Sequence, residues 1–340
     1  MRLLVLGGTE FVGRALAEDG AARGWDVTVF NRGTRPAPEG VRTLRGDRLA
    51  PEGGLAALAD GEWDIVADTW IGAPRAVRDA ARLLEPRVGR YVYVSSRSVY
   101  APPPVAGMTE DSPTVEASPD AESVDYFADK RGGELAALRE FGDRALLARA
   151  GLILGPHENI GRLPWWLRRM ERGGPVLAPG PPDLPMQWID VRDLAAWCLD
   201  AAERGLEGAY DTVSASGHTT TEEFLEACRA AVDSDAELVW AEPETVLAAD
   251  IDPFTELPMW IPPGELHDML YRSDTSRALS AGLRCRPVTE TVADTLAWLR
   301  GLPADADPLG IPHPASSGVR RPGVPAEKEE AALRAARATG

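Results

Sequence analysis

An apolar run, Leu3 to Leu6, stops at Gly7-Gly8-Thr9-Glu10-Phe11-Val12-Gly13, and a helix-patterned stretch begins at once. This feature constrains the fold more than any other. Gly7 lets the chain turn tightly off a strand, Gly8 keeps the backbone bare on the side a ligand approaches, and Gly13 lets the new helix lie close to the sheet. The helix N-terminus then offers free N–H groups and a partial positive charge to a pyrophosphate. Strand, glycine turn and helix in that order predict the first unit of an α/β fold, a doubly wound parallel sheet of the Rossmann type that binds a dinucleotide.

The rhythm continues. Arg2–Leu6, Asp26–Phe30, Val41–Leu44, Ile65–Ala67 and Arg90–Val94 read as strands. Phe11–Arg23, Gly54–Asp60 and Pro74–Leu84 read as the helices between them. A Pro-rich loop, Ala101–Pro119, leads to a long helix over Ser123–Phe141 and a further strand over Ala145–Leu154. From this pattern, residues 1–155 form the dinucleotide-binding core, with 189–214 returning to it. Residues 156–188 and 215–300 form a smaller, mostly C-terminal substrate lobe, including helices over Arg162–Arg172, Thr220–Val232 and Val288–Leu299. Residues 301–340 read as a Pro- and Gly-rich linker, Leu302–Val324, carrying a detachable charged helix, Pro325–Ala338, that wraps the surface or a partner.

Cofactor choice falls on the end of the second strand. An acidic residue there suits NAD, whereas an Arg accommodates the 2′-phosphate of NADP. Asn31-Arg32 therefore favours NADP, with NAD as the alternative; Arg35 is a further candidate, and Glu10 brings a carboxylate to the phosphate loop that must point away. The candidate cofactor set is Gly7, Gly8, Thr9, Glu10, Phe11, Val12, Gly13, Asn31, Arg32, Asp47 and Arg48, joined by Tyr126 and Lys130.

Tyr126 precedes Lys130 by one helical turn, so both project from one face. The chain contains only two lysines, Lys130 and Lys328, among 36 basic residues, so an ammonium at this spacing is a pointed choice. A phenol titrates near pH 10, and a neighbouring ammonium stabilises its anion. The same ammonium suits the hydroxyls of a ribose. Ser95, Ser96 and Ser98 follow the fifth strand at the edge where such folds bind ligands, and one of them can polarise a carbonyl.

On these residues the chain resembles the short-chain dehydrogenase/reductase superfamily, in its extended or atypical, epimerase/dehydratase-like branch. The glycine loop is similar to the family's, with Glu10 in place of its middle glycine. Tyr126 and Lys130 match the catalytic pair, and Ser96, in Val94–Tyr100, matches the catalytic hydroxyl. Arg149–Pro156, Ile189–Ala195 and Ser273–Leu279, with Gly282 and Pro287, resemble the segments that lead into the substrate lobe, out of it and to the close of the fold. The resemblance implies a Ser-Tyr-Lys oxidoreductase, with a homodimer as a family expectation.

Departures narrow the reaction. Arg97 and Ser98 stand where the family's dehydratases carry an acidic pair, which disfavours dehydration. Leu152 stands where many of its sugar-nucleotide epimerases carry Asn. The expectation is an NADP(H)-dependent reductase of a carbonyl or alcohol, with an NAD-dependent sugar epimerase as one alternative and a non-catalytic dinucleotide-sensing regulator as another. Ser98, His157, Trp165, Trp166, Gln187 and Trp260 are the substrate-side candidates; of the adjacent tryptophans, one is expected in the core and the other at the pocket. A net charge of −17 argues against nucleic acid as a partner. Cys198, Cys228 and Cys285 lack the spacing of a disulfide framework or zinc site, so no metal is expected. No run reaches the roughly 18 apolar residues of a membrane span, and the expected setting is cytoplasmic.

Overall fold

Leu3 and Val5 belong to one apolar cluster, and Leu4 and Leu6 to another, because successive side chains of a strand leave on opposite faces. A strand buried on both faces needs a layer on each side, and the fold supplies both. The computed structural model describes residues 1–102, 105–307, 309–310 and 321–339. The first half runs β1 (Arg2–Leu6), α1 (Phe11–Ala22), β2 (Asp26–Asn31), β3 (Arg42–Arg45), β4 (Trp63–Asp68), α2 (Pro74–Leu84), β5 (Val88–Ser96), α3 (Tyr126–Phe141) and β6 (Ala145–Ala150). Next come β7 (Leu152–Leu154), α4 (Arg162–Glu171), β8 (Pro175–Pro179), β9 (Pro185–Met186), β10 (Trp188–Asp190), α5 (Val191–Glu203) and β11 (Gly208–Thr212). The remainder holds β12 (Thr219–Thr220), α6 (Thr221–Val232), β13 (Glu237–Ala241), α7 (Pro243–Ala248), β14 (Pro253–Phe254), β15 (Leu257–Pro258), α8 (Glu265–Tyr271), α9 (Ser276–Ser280), α10 (Val288–Arg300) and α11 (Ala326–Thr339).

Seven parallel strands form the main sheet in the order β11-β6-β5-β4-β1-β2-β3, the doubly wound topology expected from the sequence. Strand order reverses between β1 and β4, which opens a crevice at their carboxyl ends. Leu16, Ala17, Leu194 and Leu199 of α1 and α5 cover one face. Val77, Ala80, Ala136 and Phe141 of α2 and α3 cover the other. The smaller lobe has its own core, in which Trp166, Met170, Phe224, Leu225, Trp260 and Leu296 meet. Among the described residues no helix is long and apolar enough to cross a membrane.

Four local expectations change. The stretch expected as a helix over 54–60 forms only a short 3-10 turn, Ala56–Leu58, since glycines flank it and Leu58 alone of the turn is buried. The long helix starts at Tyr126 rather than Ser123, because Asp125 caps it by accepting the Phe127 and Ala128 N–H groups, each at 2.9 Å. The strand expected over Ala145–Leu154 is two strands. It breaks at Gly151, where a Cβ would stand 2.7 Å from Val213 Cγ2; β6 stays in the main sheet while β7 pairs with β10 outside it. Lastly, the tail helix expected to be detachable is docked on the lobe. Ala332, Leu333 and Ala336 are buried in the lobe core, and the Arg169 guanidinium donates to Glu329 Oε1 at 2.7 Å. Within the linker before it, residues 308 and 311–320 lie outside the described residues.

A buried ion pair fixes the crevice. Asp68, at the end of β4 and without solvent exposure, accepts both arms of the Arg48 guanidinium at 2.6 and 2.7 Å and the Tyr91 hydroxyl at 2.6 Å. Removing one partner of such a pair leaves a buried charge without compensation. Arg48→Met is expected to lower unfolding free energy by about 3–5 kcal/mol, read from urea denaturation; a loss below about 1 kcal/mol would show that the pair is not an anchor.

Candidate active site

The glycine loop has the shape its sequence requires. Gly7 and Gly8 take φ of 121° and 79°, in the region that favours glycine. A Cβ on Gly8 would stand 2.7 Å from Val29 Cβ, and one on Gly13 3.0 Å from Gly8 Cα, so helix and turn touch through backbone. Glu10 occupies the N-cap of α1 but makes no side-chain capping bond; its carboxylate pairs instead with Arg35 Nε at 2.8 Å. That pairing draws the charge away from the loop and leaves the first-turn N–H groups without a side-chain acceptor, as an anion site needs.

Beside the loop, Asn31 Oδ1 accepts the Gly33 N–H at 2.7 Å, while its Nδ2 is buried with no partner among the described residues and can donate to a ligand. Arg32 is exposed and makes no ion pair among the described residues. Asp47 is exposed and turns back to accept the Leu49 N–H at 3.0 Å. Arg48, by contrast, points into the protein. Its guanidinium is committed to Asp68 and to Ala76 O at 2.9 Å, and lies 4.9 Å from the Trp70 ring, so its side chain supports the crevice wall. Thr9 and Val12 are half-buried in the loop, and Phe11 is buried with a φ of 30°. A bare-backbone cradle, a helix end without a cap and an orphaned amide at the ribose side together fit a dinucleotide.

Across the crevice stand the three other candidates. Lys130 is 3% exposed, and its Nζ donates to Trp70 O and Val94 O, both at 2.7 Å, beyond the ends of β4 and at the end of β5. Burial pushes its amine down to about 7, against the pull of Asp68 and Glu134. Tyr126 opens α3 one turn earlier and is 46% exposed, its ring edge-on to Phe127. Ser96 ends β5, and its Oγ accepts the Ser98 N–H at 3.1 Å; the half-buried Ser98 thus supports the turn through its backbone. The Ser95 hydroxyl beside them is buried with no partner among the described residues. Ser96 and Lys130 therefore border the same crevice as the glycine loop, with Tyr126 on the turn before Lys130.

The expected substrate side is built differently. Trp165 and Trp166 both pack in the lobe core, ring edge to face at 4.7 Å, so neither tryptophan is left for an open pocket. Trp166 Nε1 donates to Pro258 O at 3.0 Å, and Trp260 Nε1 to Gly180 O at 3.1 Å. The cavity they share measures about 10 Å³, room for one water. Gln187 is buried too: its amide donates to Ser214 O and Ser273 O at 3.0 Å and accepts the Ser273 N–H at 2.9 Å. His157, with a φ of 67°, lies 5.2 Å from the Trp298 ring, and burial pushes its imidazole down to about 4, which keeps it neutral.

Two residues that sequence reading did not place stand out. Glu158 is fully buried at the start of α4, where its two carboxyl oxygens accept the Arg162 and Leu163 N–H groups at 2.7 and 3.2 Å; burial raises it to about 7. Arg97, noted in the sequence only as a departure, donates to Leu270 O at 3.0 Å and Met269 O at 3.1 Å. No local spacing could reveal that contact, because its partners lie in a distant segment.

Comparison with known proteins gives a consistent answer. Residues 48–213 match the model of the "NAD dependent epimerase/dehydratase family". The chain is 30% identical over 257 residues to the epimerase family protein SDR39U1 of Bos taurus, covering 69% of this chain and 82% of that protein. Its fold is similar to Bordetella bronchiseptica WbmH, solved with NAD+, at a TM-score of 0.66 and 20% identity, over 88% of this chain and 98% of that one. It is also similar to human SDR39U1 isoform 2, solved with NADPH, at a TM-score of 0.57 and 24% identity, over 87% and 99%. By its sequence, its sheet order and its glycine loop, the chain belongs to the NAD-dependent epimerase/dehydratase family.

Proposed function

We propose that the chain is an NAD(P)-dependent enzyme acting at a carbon that alternates between alcohol and carbonyl, and that its overall reaction is an epimerisation. The observation that carries the reading is the placement of Lys130 Nζ, 2.7 Å from carbonyls beyond β4 and at the end of β5, one turn from Tyr126 and across the crevice from the glycine loop. In this reading the dinucleotide supplies the hydride acceptor and donor. Tyr126 exchanges the proton with the substrate oxygen, Ser96 Oγ holds that oxygen, and Lys130 holds the ribose and stabilises the Tyr126 anion. Asn31, Gly7, Gly8 and the start of α1 hold the adenosine and pyrophosphate side.

The family and the bovine relative's name favour epimerisation over the net reduction expected from the sequence. Net reduction stays as a second reading, favoured by the uncommitted Arg32 and by the NADPH in the human relative's structure. With a chain of −17 net charge, we read the partner as a small molecule.

Three measurements test this. Tyr126→Phe should retain dinucleotide affinity and lose about 10²- to 10⁴-fold in turnover, scored on UDP-glucose for epimerisation and on a ketone and aldehyde panel for NADPH oxidation; an active variant removes the mechanism. Arg32→Glu should weaken NADPH about tenfold or more while sparing NADH, by titration; equal effects on both would sink the NADP reading. The third concerns Lys130. With its amine lowered from 10.5 to about 7, the folded chain binds fewer protons than the unfolded one across that window, so stability rises with pH there. Lys130→Met should flatten that rise in urea titrations of the dinucleotide-free protein; an unchanged slope would mean that the amine is not desolvated.

A further inference from the structure

The turn that carries Ser96 is tied to the smaller lobe by the residue that follows it. Ser96 ends β5, and a single 3-10 turn, Arg97–Val99, folds back so that Ser98 N–H reaches Ser96 Oγ at 3.1 Å. Any shift of that turn redirects the Ser96 hydroxyl. Arg97, itself buried, leaves the turn toward the lobe. Its Nη1 donates to Leu270 O at 3.0 Å, and its Nη2 donates to Met269 O at 3.1 Å and to Ser273 Oγ. Met269 and Leu270 lie in the last turn of α8, where carbonyls lack partners within the helix. Gln187 grips Ser273 through both its N–H and its carbonyl, so the segment that Arg97 reaches is held from two sides.

The other side of the same guanidinium faces the sheet. Arg97 Nε stands 3.5 Å from Asp211 Oδ2 on β11, and Asp211 Oδ1 accepts the Tyr100 hydroxyl at 2.6 Å. Tyr100 in turn accepts from Arg149 Nη1 at 3.2 Å. Arg149 grips Glu134 through two bonds of 2.8 and 3.0 Å, and Glu134 lies one turn beyond Lys130 on α3. A planar five-donor group suits this seat, since an ammonium could not reach the carbonyls and Asp211 together.

We propose that Arg97 is a positioning residue that joins the end of α8 to the Ser96 turn, so that the seating of the smaller lobe sets the Ser96 hydroxyl. The proposal rests on the reading of Ser96 as the hydroxyl that holds the substrate oxygen. Its test uses the full chain with Arg97→Met, Arg97→Lys and Ser96→Ala. Amide hydrogen exchange in the presence of NADPH should rise about tenfold or more in Arg97→Met, at 97–100 and at 269–274 together, with Arg97→Lys between it and the parent. Exchange in β1 and β2 and the NADPH affinity should stay within about twofold, which separates a local joint from general loosening. On UDP-glucose or the panel carbonyl, Arg97→Met should lose about tenfold in kcat with KM within about threefold, and Ser96→Ala should match the kcat loss with exchange at 269–274 unchanged. Exchange that rises at 269–274 alone, or a kcat that holds while both segments loosen, overturns the proposal. A fully active Ser96→Ala overturns the catalytic reading of Ser96 instead, and the exchange pattern still decides whether Arg97 joins the two segments.

Discussion

The carboxylate of Asp68 governs the geometry of the crevice. It is closed off from solvent at the end of β4 and holds four donors: two from Arg48, one from Tyr91 and the Trp70 N–H at 3.0 Å. Fixing Trp70 N–H fixes the peptide chain just beyond it, and Trp70 O then receives both Lys130 Nζ and the Tyr93 hydroxyl. The position of the rare ammonium is thus set two residues downstream of a buried ion pair. Desolvating two charges is costly and returns little stability over an apolar pair of similar size, so such a pair is better explained by the geometry it imposes than by the stability it adds.

What could be read from the sequence was local. The glycine loop, α1 and the Tyr126–Lys130 spacing depend on residues within a few positions of each other, and a period of 3.6 or 2 exposes them. The doubly wound class followed from the alternation of strands and helices, because right-handed crossovers leave few arrangements. The lobe was harder. Trp165, Trp166, Trp260 and Gln187 have the composition of a binding wall, yet each contacts backbone or side chains from a remote segment, and aromatic content alone does not distinguish a wall from a core. The Arg48 side chain shows the same limit in miniature: its guanidinium is committed to Asp68, a partner that lies twenty residues on.

The reaction itself turns on features that pull in two directions. Arg32, exposed just after β2, is the feature behind the reading with a phosphorylated ribose and a cofactor that comes and goes. The family's name, NAD dependent epimerase/dehydratase, is the feature behind the epimerisation reading. Both readings use the same crevice and the same proton-transfer residues, because the chemistry at the reacting carbon is shared, and what differs is how long the cofactor stays.

The docking of α11 carries a consequence for biogenesis. The lobe core that contains Trp166 and Phe224 is completed by Ala332, Leu333 and Ala336. The main sheet has its last strand, β11, and the covering helix α5 once residue 212 has been synthesised, but the lobe keeps an apolar flank bare until the chain has grown through α11, Ala326–Thr339. Vectorial synthesis therefore imposes an order on this protein, sheet first and lobe last, and leaves a window in which chaperones would find their target on the lobe rather than on the nucleotide fold.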